Sequence, residues 1–142
     1  MANKEDSGFG TRAIHAGQEP DPTTGATTPN IVMATTYAAD PGASFSIADQ
    51  EGAEAKGFIY TRWGNPTIQQ LAKKLAALEG ARRCVLFGSG MAAISALFLH
   101  LLKSGDHVVM SDVTYAGASE LANEILPKMG IAIERVNMSD LA

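Results

Sequence analysis

Between Cys84 and Ala93 the chain reads Cys84-Val85-Leu86-Phe87-Gly88-Ser89-Gly90-Met91-Ala92-Ala93. This is a short apolar run, a glycine-serine-glycine turn and then an alanine-rich helical pattern. A strand that turns this sharply into a helix leaves the first helical N–H groups unpaired at the positive end of the helix dipole. Those donors suit an anion, and the glycines let a phosphate approach the backbone closely. Ser89 can add a hydroxyl to such a site. The plain alternative is a tight turn with Ser89 as N-cap and no ligand.

The surrounding pattern sets the fold class. Asn65-Pro66-Thr67 reads as a helix start, with Asn65 as N-cap and proline in the first turn, where its missing N–H is not needed. Ile68, Leu71, Leu75 and Leu78 then share one helical face, and Gly80 ends the run. Cys84–Phe87 has no polar alternation and predicts a strand buried on both faces. Ser89 or Gly90 opens a helix through Leu102, closed by Gly105. His107–Ser111 predicts a second strand, and Ala118–Leu126 a helix stopped by Pro127 and Gly130. Ile131–Val136 predicts a third strand. Helices alternating with strands predict an α/β fold with parallel strands. Ligands in such sheets lie at the carboxyl ends of strands. Gly88–Met91 and Asp112–Tyr115 both follow predicted strands and are therefore expected on one rim.

Residues 1–63 have a different texture. Gly17, Pro20, Pro22, Gly25, Pro29, Pro41 and Gly42 recur, and no helical or strand period holds for long. A compact domain does not spend some sixty residues on loops. The segment is nevertheless apolar, with Ile31, Val32, Met33, Tyr37, Phe45, Ile47, Phe58, Ile59, Tyr60 and Trp63. It is read as an extended arm for subunit contacts, with residues 64–142 as the first portion of the α/β domain.

Charge and composition narrow the partners. The formal net charge is −4, with 11 Lys+Arg and no basic run, which argues against nucleic acid. The single cysteine, Cys84, sits in an apolar run and reads as a small buried hydrophobe in a reducing compartment. Met91–Leu102 is too short to cross a bilayer, and the polar N-terminus has no signal core. A soluble cytoplasmic protein is the expectation. His15, His100 and His107 have no metal-ligand spacing and read as structural or surface residues.

Three further features have two readings each. In Tyr60-Thr61-Arg62, Arg62 can clamp a phosphate through two parallel hydrogen bonds and Tyr60 can add a donor; alternatively, Arg62 is a surface charge and Tyr60 a packed ring. Tyr115 can stack on a planar ring or simply cover the rim. Asp112 can contact a ligand, but the favoured reading is a cap for the turn that follows it. Gly88-Ser89-Gly90-Met91-Ala92-Ala93 also fits the G-x-G-x-x-A dinucleotide pattern, with Asp112 near the expected ribose position. That NAD(P)-binding alternative leaves the arm and Tyr60-Thr61-Arg62 without a role.

Taken in order, the strings Gly10-Thr11-Arg12-Ala13-Ile14-His15-Ala16-Gly17, Gly57 through Thr67, Leu78-Glu79-Gly80-Ala81, Gly88 through Ala93, Gly105-Asp106-His107-Val108-Val109 and Asp112-Val113-Thr114-Tyr115 resemble the Cys/Met-metabolism family of pyridoxal-phosphate enzymes. The resemblance implies the aspartate-aminotransferase type of fold (fold type I), with an extended arm leading into a mainly parallel sheet flanked by helices. It implies pyridoxal 5'-phosphate as cofactor, with Gly90 and Met91 offering backbone N–H groups to its phosphate beside Ser89. Tyr60 and Arg62 would reach that phosphate from the adjacent subunit. Tyr115 would stack on the pyridine ring and take part in proton handling. The assembly implied is a homotetramer of catalytic dimers. The reaction implied is β- or γ-elimination, or γ-replacement, on cystathionine, methionine or an O-acylhomoserine.

Ala116 stands where the family has glycine after the stacking tyrosine, so the resemblance does not extend to subclass. The family's Schiff-base lysine has no counterpart among Lys4, Lys56, Lys73, Lys74, Lys103 and Lys128. Lys73, Lys74 and Lys103 read as helix-surface charges. The chain is therefore expected to be the N-terminal third of a longer enzyme, inactive alone and prone to associate. A truncated, non-catalytic partner of full-length subunits is the other expectation for such a chain.

Overall fold

A computed structural model of the chain describes residues 7–38 and 57–140. Phe45, Ile47, Pro41, Gly42, Lys4 and Lys56, which figure in the sequence reading, lie outside the described residues. The chain divides into two compact units, Met1–Leu86 and Phe87–Ala142.

The first unit is built on two helices, α1 (Phe9–His15) and α2 (Pro66–Leu78). The start of α2 follows from its sequence. Asn65 Oδ1 accepts from Thr67 N at 2.9 Å and Ile68 N at 3.4 Å, and Pro66 occupies the first turn. The helix ends at Leu78, with Gly80 left-handed just beyond it.

Asn65 does more than cap. Its buried Nδ2 lies within hydrogen-bond reach of Val32 O (3.1 Å), Tyr37 Oη (2.9 Å) and Thr61 Oγ1 (3.1 Å). Thr67 Oγ1 accepts from Val32 N at 2.9 Å. One asparagine and one threonine at a helix start thus pin two segments of the arm. Those segments also bond to each other, Tyr37 N donating to Ile59 O and Thr61 N to Thr35 O around a Thr36–Tyr60 antiparallel bridge.

Helix α1 was not foreseen, because seven residues interrupted by Gly10 carry too little period to be read. It is held from outside: Arg12 Nη1 donates to Ala77 O at 3.1 Å and Lys74 Nζ to Ile14 O at 3.1 Å. Lys74, read as a helix-surface charge, is half-buried and ties α1 to α2. The described part of the arm is anchored on this chain's own α2.

The second unit contains α3 (Gly90–Leu101), β1 (His107–Ser111), α4 (Ala116–Glu120) and β2 (Ala132–Val136). Strands β1 and β2 are parallel, in the register His107–Ala132 through Ser111–Val136. The connection between them packs on the sheet, with Ala122, Leu126 and Ile131 buried at its centre against Phe98, Leu102, Val108, Met110, Leu121 and Ile133. Full burial of Leu126 alone stabilises by about 1.5–3 kcal/mol.

Two expectations change here. The helix expected to run through Leu126 starts earlier, at Ala116, and does not stay α-helical. After Glu120 it widens into a π turn, Leu121–Ile125, and then tightens into a 3-10 turn, Leu126–Met129, that contains Pro127. Proline offers no N–H to the carbonyl four residues back, so the preceding turn relaxes to a wider spacing. Leu126 N duly bonds Leu121 O. Pro127 reshapes the helix end and Gly130, left-handed, closes it.

The second change is at Cys84–Phe87, which forms no strand. A strand exists only as one side of a ladder, and this segment pairs with nothing among the described residues. Val85 is 74% exposed, and Cys84 is half-buried where full burial was expected. The expected sheet of three strands is a pair among the described residues.

Candidate cofactor-phosphate site

The glycine turn folds as its sequence requires. Ser89 is the N-cap of α3, and its Oγ accepts from Ala92 N at 3.1 Å. Ala93 N reaches Ser89 O at 3.2 Å. The N–H groups of Gly90 and Met91 have no acceptor among the described residues. A side-chain carbon at Gly88 or Gly90 would meet no atom within 4 Å, so the space over the turn is open. The turn therefore presents two free backbone donors, plus the hydroxyl hydrogen of Ser89, whose oxygen is engaged as a cap. Ser89 fills its bland role without losing the capacity for the other one. The donor set fits a dianionic phosphate ester.

Tyr115 lies in the same unit, at the N-cap of α4 and 70% exposed. Its ring and the Met91 side chain both approach Gly117. A Cβ built there would lie 3.0 Å from Tyr115 Cε1 and 3.0 Å from Met91 Sδ. The Met91 side chain, from the first turn of α3, and the Tyr115 ring are thus both brought to Gly117.

Asp112 does not cap the turn after β1. That role belongs to Ser111, whose Oγ accepts from Val113 N at 3.2 Å. Asp112 contributes its main chain, donating from N to Val136 O at 2.9 Å, and its side chain is exposed.

Tyr60 and Arg62 belong to the first unit. Trp63 N and Gly64 N both donate to Tyr60 O, closing a tight turn. The Arg62 guanidinium carbon sits 5.2 Å from the centre of the Tyr60 ring, a cation–π contact, and the Tyr60 and Trp63 rings meet edge-on at 6.2 Å. Arg62 is exposed and makes no ion pair among the described residues. The turn holds the Arg62 guanidinium over the Tyr60 ring.

The sequence reading missed Arg135, Thr114 and Ser119, which build the loop around Tyr115. One signal was available. On β2, Ile133 and Arg135 share a parity, so a cation stands where alternation calls for an apolar residue.

Comparison with known proteins places the chain. The profile of the Cys/Met metabolism PLP-dependent enzymes matches residues 10–142, and the chain belongs to that family. It is 40% identical over 134 residues to a canavanine gamma-lyase of Pseudomonas canavaninivorans, covering 92% of this chain and 32% of the relative. It is 38% identical to a cystathionine gamma-synthase of Mycobacterium tuberculosis, covering 95% of this chain and 32% of the relative. The crystal structure of metB from Corynebacterium glutamicum superposes with a TM-score of 0.83 at 37% identity, covering 98% of this chain and 34% of that one. The chain spans about a third of the length of the curated relatives it matches. The fold is the N-terminal α/β portion of these pyridoxal-phosphate enzymes, and the dinucleotide alternative is set aside.

Among the described residues no helix is long and apolar enough to cross a membrane.

Proposed function

We propose that this chain forms the cofactor-phosphate end of an enzyme acting at the β or γ carbon of a sulfur or O-acyl amino acid such as cystathionine, methionine or an O-acylhomoserine. Relatives named for γ-elimination and for γ-replacement both support this class. Pyridoxal phosphate, when bound, supplies the electron sink for such chemistry.

The chain's own residues bind and orient. Gly90 and Met91 donate their N–H groups to the phosphate, and Ser89 adds its hydroxyl. Tyr115 covers the cofactor ring and presents a phenol that holds or passes a proton at its Oη. Tyr60 and Arg62 serve the phosphate of a neighbouring subunit in a homotetramer of catalytic dimers, with the arm of residues 1–63 carrying them there. The observation that supports this reading is the approach of both Met91, whose N–H is one of the two free helical donors, and Tyr115 to Gly117.

The test is a binding titration of the protein expressed from its full reading frame. Pyridoxal phosphate should bind, and pyridoxal without the phosphate should bind roughly a hundredfold more weakly, the worth of about two hydrogen bonds to a charged group. Preference for NAD, or equal affinity for the two pyridoxal forms, would remove the reading. Arg62→Ala should weaken the phosphorylated form alone.

A further inference from the structure

We propose that Arg135 is the positioning residue for Tyr115, an inference that rests on the role given to Tyr115 above. Ile133 packs against the buried centre of the unit, and Arg135, two residues on along β2, reaches the rim beside the carboxyl end of β1. Its Nη1 donates to Ser111 O at 3.0 Å and Thr114 Oγ1 at 3.3 Å. Its Nη2 donates to Asn123 Oδ1 at 3.0 Å and Ser119 O at 3.5 Å. One planar group therefore spans the last residue of β1, the residue before Tyr115, the end of α4 and the π turn.

The bracket closes on Tyr115 from both sides. Thr114 Oγ1 and Ser119 Oγ share a hydrogen bond at 2.9 Å, and Ser119 N donates to Tyr115 O at 3.0 Å. Helix α4 cannot orient this loop through its own cap, because Tyr115 occupies the N-cap position and makes no side-chain cap bond. All four acceptors of Arg135 are neutral, and it makes no ion pair among the described residues. The group acts as a fixed fork whose geometry, rather than its charge alone, sets the loop. A lysine would keep the charge and the apolar stem but lose the fork.

The experiment uses the protein from its full reading frame. The readouts are pyridoxal-phosphate affinity, the circular dichroism that the asymmetric site induces in the bound cofactor, and far-ultraviolet dichroism as a check of folding. Arg135→Lys is expected to weaken cofactor binding about tenfold, the worth of one hydrogen bond to a charged group, and to alter the induced signal. Arg135→Ala should do the same, and millimolar guanidinium ion should restore it. Glu134→Gln, on the opposite parity of β2, should change neither readout.

If Arg135→Lys matches the parent while Tyr115→Ala changes both readouts, the inference fails and the reading of Tyr115 stands. If Tyr115→Ala changes neither, both fall. If folded Arg135→Ala is not rescued by guanidinium, the loss lies in packing and the inference fails. If Arg135→Ala does not fold, Arg135→Lys decides.

Discussion

The Met91 thioether and the Tyr115 ring both approach Gly117, each 3.0 Å from where a β-carbon would stand. Through Met91 the first turn of α3 reaches the first turn of α4. This approach also separates stability from function at one position. Gly117 has no positive φ and lies inside α4, so alanine suits its backbone and would contribute about 0.5–1 kcal/mol of helix propensity. The methyl group would displace the flexible ends of Met91 and Tyr115. Gly117→Ala is expected to melt no lower than the parent yet bind pyridoxal phosphate more weakly, which calorimetric unfolding and a binding titration would show together. An unaltered affinity would mean that the ring does not reach the cofactor.

Asn65 ties the cap of α2 to the arm, so its loss should be felt in both. Asn65→Ala removes the acceptor for Thr67 N and leaves Val32 O and Thr61 Oγ1 without their shared donor. The expected cost is about 2–4 kcal/mol in local stability, from the lost cap and the unpaired groups. Asn65→Asp restores the acceptor but turns an oxygen toward Val32 O, so it should recover no more than the cap's share of about 1 kcal/mol. Amide exchange at Thr67 and Ile68 would measure both changes.

The second unit was largely legible in the sequence because its signals are local. Ser89 caps α3 as expected, just as Asn65 caps α2 in the first unit, and β1 and β2 fall within the strands expected after Gly105 and Gly130. What was not legible depends on distant partners. The apolar run Cys84–Phe87 carries a strand's composition, but a strand is completed by its neighbour and none pairs with it among the described residues. Helix α1 forms because Arg12 and Lys74 hold it on α2, across 65 and 60 residues of sequence. The Arg135 bracket joins four segments that no short window contains. Ser111, rather than Asp112, closes the turn after β1, a choice between neighbouring side chains that composition does not resolve.

Gly17 should tolerate no substitution. Its φ is +74°, a conformation costing other residues about 1–2 kcal/mol, and a Cβ would stand 2.7 Å from both Gln70 O and Lys74 N. Those are backbone atoms of α2 and cannot swing aside. Gly17→Ala is expected to detach α1 from α2 at a cost above about 2 kcal/mol, read as faster proteolysis near residues 8–18 and faster exchange at Ala16, whose N–H bonds Arg12 O.

The loop at Asp21 gives a prediction with a definite sign in pH. Its carboxylate accepts from Thr24 N at 2.8 Å, Thr24 Oγ1 at 3.0 Å, Thr23 N at 3.0 Å and Asn30 Nδ2 at 2.9 Å. The Thr24 backbone N–H is the main cause holding this carboxyl below its ordinary 3.8, followed by the Thr24 hydroxyl and the Thr23 N–H. A carboxyl whose folded value is depressed adds stability above its unfolded value and loses it as pH falls through the folded one. The loop should therefore stay ordered at pH 5 to 7 and loosen only below about 3.8, where the carboxylate takes up a proton. Asp21→Asn keeps an oxygen acceptor but has no charge to titrate, so the Thr24 amide shift should lose its acid transition. A Thr24 shift that moves between pH 5 and 7 would contradict the assignment.

The 142-residue chain by itself should associate. Among the described residues few apolar side chains are buried, chiefly Ala122, Leu126 and Ile131 in the second unit, while Val113 is 83% exposed and Leu97, Leu99, Leu101 and Val109 are all open to solvent. Helix α3 is apolar around most of its circumference, a pattern that water does not favour on a surface. The two-strand sheet has unpaired edges on both sides among the described residues, and such edges recruit further strands. Burying about 1,000 Å² of apolar surface offers some 25 kcal/mol before the costs of association, enough to favour dimers or larger species at micromolar concentration. Sedimentation velocity across a hundredfold dilution should show a size that falls with concentration. A single monomeric boundary at every concentration, with a sharp melting transition, would show that these apolar faces find cover within one chain.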